Sequence, residues 1–320
     1  MLQRRDLLTL FAISCLPSVS RAARPRVRIV VPHPAGGPLD FTTRLTADAL
    51  SARYEKVLVE NRPGAGGTSG MRWAAQAKRD TVLVVGSVAT LAVNPHLFRE
   101  LDYDPQKDFH PLRLLASMPN VLVVHPDLAK EHGVADLKAF LEYAGQNPQL
   151  PYASGGVGSG AHMAGALLAH EFDLSLLHVP FQGAGPAQHS LLSRRTAFFF
   201  DNLQSALSAI RAGSLMPLAV TSRARSPLLP DTPTVEEVTG KAFDIGTWYG
   251  FLGNRRLSPE DAALWTERLR TVLADETLRE RIASAGAEVS DLEGEAFARF
   301  IEDERAKYGE LVRLAGIQAS

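Results

Sequence analysis

At 320 residues the chain is long enough for two domains, because single hydrophobic cores stop growing near this length. Apolar residues make up 45% and charged residues 22%, the balance of an ordinary globular protein. A formal charge of −1 excludes bulk electrostatics as a means of recruiting nucleic acid or an acidic membrane.

The first 22 residues read as a targeting segment. Arg4-Arg5 precedes the apolar run LLTLFAISCLPSVS, and Ser20-Arg21-Ala22 is a small-x-small cleavage site. The run is too short to span a bilayer. A signal peptide over 1–22 is predicted, with a twin-arginine or a Sec route fitting Arg-Arg-Asp-Leu-Leu. The only cysteine, Cys15, lies inside it. It is either a discarded signal residue or the cysteine of a degenerate lipoprotein box, and the first is preferred. The remaining chain then has no disulfide, no cysteine nucleophile and no thiolate metal ligand.

Val27 to Arg53 reads as a buried strand, a turn through Pro34-Ala35-Gly36-Gly37, and a helix opened by Pro38. Glycines at a helix start leave backbone N–H groups bare, where the helix dipole adds partial positive charge. The expected tenant is a carboxylate or a phosphate. A second strand (56–60), a glycine-rich loop (61–67), a helix (68–77) and a third strand (81–86) complete a βαβαβ unit and an open parallel sheet. Ser87, Thr90 and Asn94 follow the carboxyl end of the third strand, where open α/β sheets bind ligands.

Residues 121–125 read as a hinge strand leading to a second α/β series. It has a helix at 135–144, a strand ending in Ser154, a glycine loop at 155–160 and a helix at 161–170. Strands at 176–181, 197–200 and 218–221 follow, then a return strand at 248–252 and a helical tail from 259 to 317. Two α/β units with matching glycine loops predict two lobes facing each other.

Gly156-Val157-Gly158-Ser159-Gly160-Ala161 also fits the dinucleotide fingerprint G-x-G-x-x-A. The fingerprint asks for an acid at the end of the next strand, and Pro180-Phe181 stand there, with Asp173 ahead of that strand. A tight strand–helix turn and an anion site capped by Ser159 remain alternatives. No catalytic signature of the G-x-S-x-G or H-E-x-x-H kind occurs, and no histidine pair has metal-site helical spacing, so neither a metal nor a cofactor is expected. His162 serves either as a ligand donor or as a cap. Asp40 has two readings, dipole complement or ligand acceptor, and Asp201-Asn202 has two as well, turn or cleft-lining pair.

At this point an ordered set of short motifs accumulates. Val31-Pro32 with Ala35-Gly36-Gly37-Pro38-Leu39-Asp40 and Arg44 resembles the first signature of the tripartite tricarboxylate transporter receptors, the Bug family of periplasmic solute-binding proteins. Val59 to Gly67 is similar to the second. Asn94-Pro95, Tyr103-Asp104-Pro105, Tyr152-Ala153-Ser154 through Ser159 and His162, His178-Val179-Pro180-Phe181 and Pro230 to Thr234 continue in family order. The resemblance covers residue 27 to the C-terminus.

The resemblance implies an α/β fold of the type II periplasmic-binding-protein kind, a Venus flytrap. Each lobe is an open, mostly parallel sheet flanked by helices, with 23–122 plus 226–320 as one lobe and 123–225 as the other. It implies a ligand carboxylate on Ala35, Gly36 and Gly37 with Asp40. The second lobe answers through Ser154, Gly158, Ser159, Gly160 and His162, and the loop from Ser87 to Thr90 and Asp201 line the same cleft. The implied role is a monomeric periplasmic receptor for a small carboxylated solute, delivering it to integral-membrane transporter subunits without covalent chemistry. A sensor docking onto a membrane signalling partner, and a nucleotide-dependent enzyme, are the alternatives. The chain departs from the family pattern at His33-Pro34, where Phe is usual, and at Arg79-Asp80-Thr81, 189–195 and 254–259. His33 is expected to add a donor or a titratable group at the mouth of the site.

Overall fold

The computed structural model describes residues 27–317 apart from 55, 79 and 80. The segment read as a signal peptide, with Cys15, and the altered turn at Arg79-Asp80 fall outside the described residues. The chain opens with β1 (Val27–Val31), α1 (Pro38–Arg53), β2 (Val57–Asn61), α2 (Thr68–Gln76) and β3 (Val82–Ser87). β1 pairs in parallel with β2 on one side and β3 on the other. Successive side chains of a strand face opposite ways, and both faces of this sheet are covered. Val27, Ile29, Val31, Leu83 and Val85 therefore join one apolar cluster, while Val30, Val82 and Val84 join the other. That is why these strands read as continuous apolar runs.

A π-helical turn at Ala89–Val93 and the short α3 (Asn94–Leu97) lead into β4 (Phe109–Val124), a 16-residue strand. The sequence shows only its last quarter, because Pro111, Arg113 and Pro119 interrupt the apolar pattern. The register shifts after Pro111 and again after Leu114 accommodate the interruption. Arg113 is buried, and its two terminal nitrogens donate to Glu293, Asp291 and the Ser290 carbonyl from the tail.

The next elements are α4 (Pro126–His132), α5 (Leu137–Gln146), β5 (Leu150–Ser154), α6 (Gly160–Glu171), β6 (Leu176–Pro180) and α7 (Ala184–Leu192). They are followed by β7 (Phe198–Asn202), α8 (Leu203–Arg211), β8 (Met216–Val220) and α9 (Val235–Thr239). β5 pairs in parallel with β6 and β7. The last five residues of β4 pair with β7 and β8, both antiparallel. Phe198 packs edge-on to Phe140 and stacks on Tyr152, which accounts for the Phe198-Phe199-Phe200 run as the centre of this half. Residues after β8 stay with it: Val220 bridges Thr234, α9 packs on α5, and Phe243 stacks on Phe200.

The chain returns through β9 (Gly246–Asn254), antiparallel to both β3 and the first part of β4. The tail forms α10 (Pro259–Leu273), α11 (Glu276–Ser284), β10 (Glu288–Val289) and α12 (Gly294–Leu314). The strand order is β2-β1-β3-β9-β4-β7-β5-β6. One long strand thus runs through two halves of α/β architecture, which is the two-lobed periplasmic-binding-protein arrangement. α12 ties the halves together. It packs on β4 and the π-turn and reaches α6, and Tyr308 donates to the Gly246 carbonyl at 3.2 Å.

Candidate ligand-binding cleft

A cavity of about 260 Å³ lies where the loops of the two halves meet. The first half supplies the loop and helix start 33–40, with Ser87 at the end of β3 and Val88 and Ala89 after it. The second half supplies Gly155, Ser159, Gly160 and Ala161, the loop and helix start 182–186, and Phe199 and Asn202 on β7. Thr247 and Tyr249 of the return strand β9 form the floor.

Four helices begin on this wall. Gly37 is the N-cap of α1, Ser159 of α6, Gly183 of α7 and Asn202 of α8. The first-turn N–H groups of a helix have no intrahelical partner, and each start carries about half an elementary positive charge. The lining residues include no Arg and no Lys. Positive potential in this cavity therefore comes from backbone, in the form that binds carboxylates and phosphates elsewhere.

The α1 loop is held from behind. Gly36 takes φ +83°, a conformation that costs an L side chain, and its N–H donates to Asp40 Oδ2 at 2.9 Å. Arg44 Nε donates to the same oxygen at 3.0 Å and Asn61 Nδ2 to Asp40 Oδ1 at 2.8 Å. Asp40 is only 3% exposed. Burial pulls its pKa up, but the bonds from Arg44, Gly36 and Asn61 outweigh that and hold the carboxyl below its usual range. Both oxygens are thus occupied, so Asp40 shapes the loop. Asn61 Nδ2 also donates to the His33 carbonyl, binding the second family motif to the first.

His33 lines the cavity with Nε2 3.1 Å from Ser87 Oγ. Burial lowers its pKa to about 4, so it is neutral at pH 7. Ser87 is in turn fixed by Thr90, whose Oγ1 accepts from the Ser87 N–H at 2.9 Å.

The α6 loop is held by histidines. Ser159 Oγ accepts from the His162 N–H, and His162 Nδ1 accepts from the Gly158 N–H at 3.1 Å. The His162 ring stacks on His178 with centroids 3.8 Å apart, and His178 Nε2 lies 2.6 Å from Ser154 Oγ. Burial and the neighbouring His178 lower His162 to about 3, and burial lowers His178 to about 4. The loop sits hard against the first half. A Cβ added to Gly160 would come within 2.7 Å of Thr247 Oγ1 and 3.2 Å of Asn120 Nδ2. One added to Gly158 would come within 3.0 Å of Asn94 Oδ1.

Of the residues singled out from sequence, His33, Ala35, Gly36, Gly37, Asp40, Ser87, Ser159 and Gly160 line the cavity together. Thr90, Ser154, Gly158, His162 and Asp201 do not; they lie one layer behind it. Asp201 is fully buried, with Gln188 Nε2 donating at 2.9 Å and Ser205 Oγ also donating to it. Burial, against those bonds, raises its pKa to about 7.

Sequence reasoning missed Phe199, Thr247, Tyr249 and the whole α7 start, while Val88, Ala89 and Asn202 belong to segments it places at the cleft. The signal for α7 was present. Gly183-Ala184-Gly185-Pro186 repeats, on the other half, the glycine-then-proline helix opening of Gly36-Gly37-Pro38.

Comparison with known proteins places this geometry in context. The family model described as the tripartite tricarboxylate transporter family receptor matches residues 43–317. The chain is 30% identical over 298 residues to Protein BugT of Bordetella pertussis, covering 92% of this chain and 90% of BugT. Among solved structures, Rpa4515 of R. palustris with adipate superposes with a TM-score of 0.87 at 28% identity, over 92% of this chain and 98% of that one. MatC from Rhodopseudomonas palustris with bound malate gives 0.81 at 29% identity, over 90% and 99%.

Proposed function

The chain belongs to the tripartite tricarboxylate transporter receptor family, and on that premise we propose that it is a periplasmic receptor capturing a small carboxylate between two lobes. One observation carries this reading: four helix N-termini from both halves open onto one cavity whose walls hold no Arg or Lys. Such a site favours an anion without fixing it to a single cation. The relatives solved with adipate and malate bind small carboxylates, and this supports the same class here.

The ligand carboxylate sits against the N–H groups of Ala35, Gly37 and Leu39, with Ser159, Gly160, Ala184 and Gly185 answering from the other lobe. His33 and Ser87 contribute neutral donors or acceptors at the mouth. Asp40, Thr90, Ser154, Gly158, His162 and Asp201 act by holding these groups in place. The lobes divide where β4 passes residue 119 and where β9 begins, so that 226–245 travel with the second lobe. Closure shifts the protein between open and closed populations, and the closed form is delivered to the membrane subunits of a tripartite tricarboxylate-type transporter. The protein acts as a monomer, is exported through its N-terminal segment, and performs no covalent chemistry on its ligand.

The test is a thermal-shift screen over mono-, di- and tricarboxylates, hydroxy acids, amino acids and nucleotides. Binding to the native state raises apparent stability by mass action. At least one small carboxylate raises the melting temperature. A shift with nucleotides and none with any carboxylate would overturn the reading.

A further inference from the structure

Asp201 stands between two cavity-lining residues, two positions after Phe199 and one before Asn202, the N-cap of α8. We propose that the protein takes up a proton from solvent as it takes up its carboxylate, and that the carboxyl of Asp201 is where the proton goes. This deepens the reading above, on which it rests, by assigning a control to the same site.

Two negative charges otherwise share one helix start. Asp201 lies behind the first turn of α8 and the ligand carboxylate in front of it, and the half charge of a helix start offsets one anion better than two. Like charges at close range drive a proton onto the more buried of the pair.

Asp201 is fully buried, and its partners are the Gln188 amide, the Ser205 hydroxyl and the Asn202 N–H, none of them a cation. Val121 of β4 stands opposite it, and β5, on the other side of β7, ends in the uncharged Ser154. The ionisable side chains of the two helices over this face, His189 of α7 and Arg211 of α8, are exposed in their last turns. α6 and its neutral His162 lie over the other face, since Gly165 of α6 abuts Tyr152, which stacks on Phe198. Burial, against its hydrogen bonds, already raises the pKa of Asp201 to about 7, where a neighbouring charge changes protonation most.

The hydrogen bonds around Asp201 serve either state. Ser205 Oγ donates to Asp201 Oδ1, and the Asn202 carbonyl lies 3.0 Å from the same hydroxyl. When Asp201 is protonated, its O–H donates to Ser205 Oγ, and the serine hydrogen turns to that carbonyl. Gln188 Nε2 also has a second acceptor, the Ser205 carbonyl at 3.0 Å, beside Asp201 Oδ2 at 2.9 Å. No heavy atom has to move, so the starts of α7 and α8 keep their places on the cavity wall while the charge behind them disappears.

The experiment is isothermal titration of the full chain at pH 7.5 with malate and adipate, or with the tightest carboxylate of the thermal-shift screen where neither binds. Each titration is run in HEPES and in Tris, whose ionisation enthalpies differ, so the buffer-dependent part of the heat counts protons. About half a proton is taken up per ligand, and affinity weakens by about sevenfold between pH 6.5 and pH 9, as a rise of about one unit in the pKa of Asp201 on binding requires. In Asp201→Asn the uptake disappears and the pH profile is flat. Ser205→Ala keeps the carboxyl and serves if that variant fails to fold: it displaces the pH of maximal uptake, whereas a proton bound elsewhere would leave it in place. No uptake by the parent protein, or uptake that persists in Asp201→Asn, would overturn this inference while leaving the receptor reading intact. Failure of every carboxylate to bind would overturn both.

Discussion

The two loops that face each other across the cleft do the same job with different chemistry. Both present backbone N–H groups at a helix start, and both need glycine in a left-handed conformation, Gly36 at φ +83° and Gly158 at φ +78°. The first-lobe loop is braced by a charged network, Asp40 with Arg44, Asn61 and the Gly36 N–H. The second-lobe loop is braced by neutral groups, with His162 on Gly158 and His178 behind it. In each case the ionisable side chain serves the backbone and the backbone faces the cavity. The two halves differ in how they should fail, and three perturbations separate them.

The largest effect belongs to the contact between the loops and the opposing half. Gly160→Val places branched carbon against Thr247 of the other half, where even a Cβ comes within 2.7 Å, and against Asn120 Nδ2 of its own half at 3.2 Å. Gly160 has no positive φ, so the backbone accepts the side chain while the lobes stand apart. Affinity for the best carboxylate falls by about 100-fold or more, about 2.7 kcal/mol, while the melting temperature of the ligand-free protein falls only as far as the Asn120 contact requires. Unchanged affinity would show that the lobes need not approach as closely as they do here.

Removing the charged brace comes next. Asp40→Asn keeps the volume and loses the charge, leaving Arg44 and the Gly36 N–H with a poorer acceptor. Hydrogen bonds to charged groups contribute about 1.5–3 kcal/mol each, so a loss of about 2 kcal/mol in stability and about tenfold in affinity is expected from titration and denaturation. An affinity collapse with full stability would instead place Asp40 on the ligand itself.

The neutral brace has a pH signature. In the unfolded chain a histidine titrates near 6.5, whereas folding lowers His162 to about 3 and His178 to about 4. Their contribution to stability is therefore complete above pH 6.5 and is lost as pH falls from about 6.5 toward 4. Asp201 works in the opposite sense. Raised to about 7, it takes up a proton in the folded state first, which adds stability as pH falls below 7. Against that background, His178→Gln is less stable than the parent at pH 7.5, and the gap shrinks by about 1 kcal/mol at pH 5. Parallel profiles in urea denaturation would mean that His178 is solvated in the folded protein.

The comparison also explains what the sequence could reveal. The strand–turn–helix units around Gly36-Gly37 and Gly158 to Gly160 were legible because glycine and proline punctuate helix starts regardless of tertiary context. The role of the side chains behind them was not. Asp201 shares its strand face with the cavity-lining Phe199, yet Gln188 of α7 and Ser205 of α8 cover it, and no local pattern encodes that cover. Tyr249 reads as a member of an apolar strand and Thr247 falls just before it, since only the return of β9 between β3 and β4 brings them under the cleft. The first part of β4 was hidden because its buried Arg113 is held by the distant residues 290–293 and its irregular register is set by pairing with β9.

The central claim is that backbone at helix starts holds a negative charge in this cleft. It is tested most directly by titrating the full chain at pH 7.5 with the best carboxylate and with its primary amide. The two have nearly the same shape, and only the acid carries charge. The account predicts that the carboxylate binds and the amide is at least about 100-fold weaker, the equivalent of about 2.7 kcal/mol. Equal binding of acid and amide would contradict it.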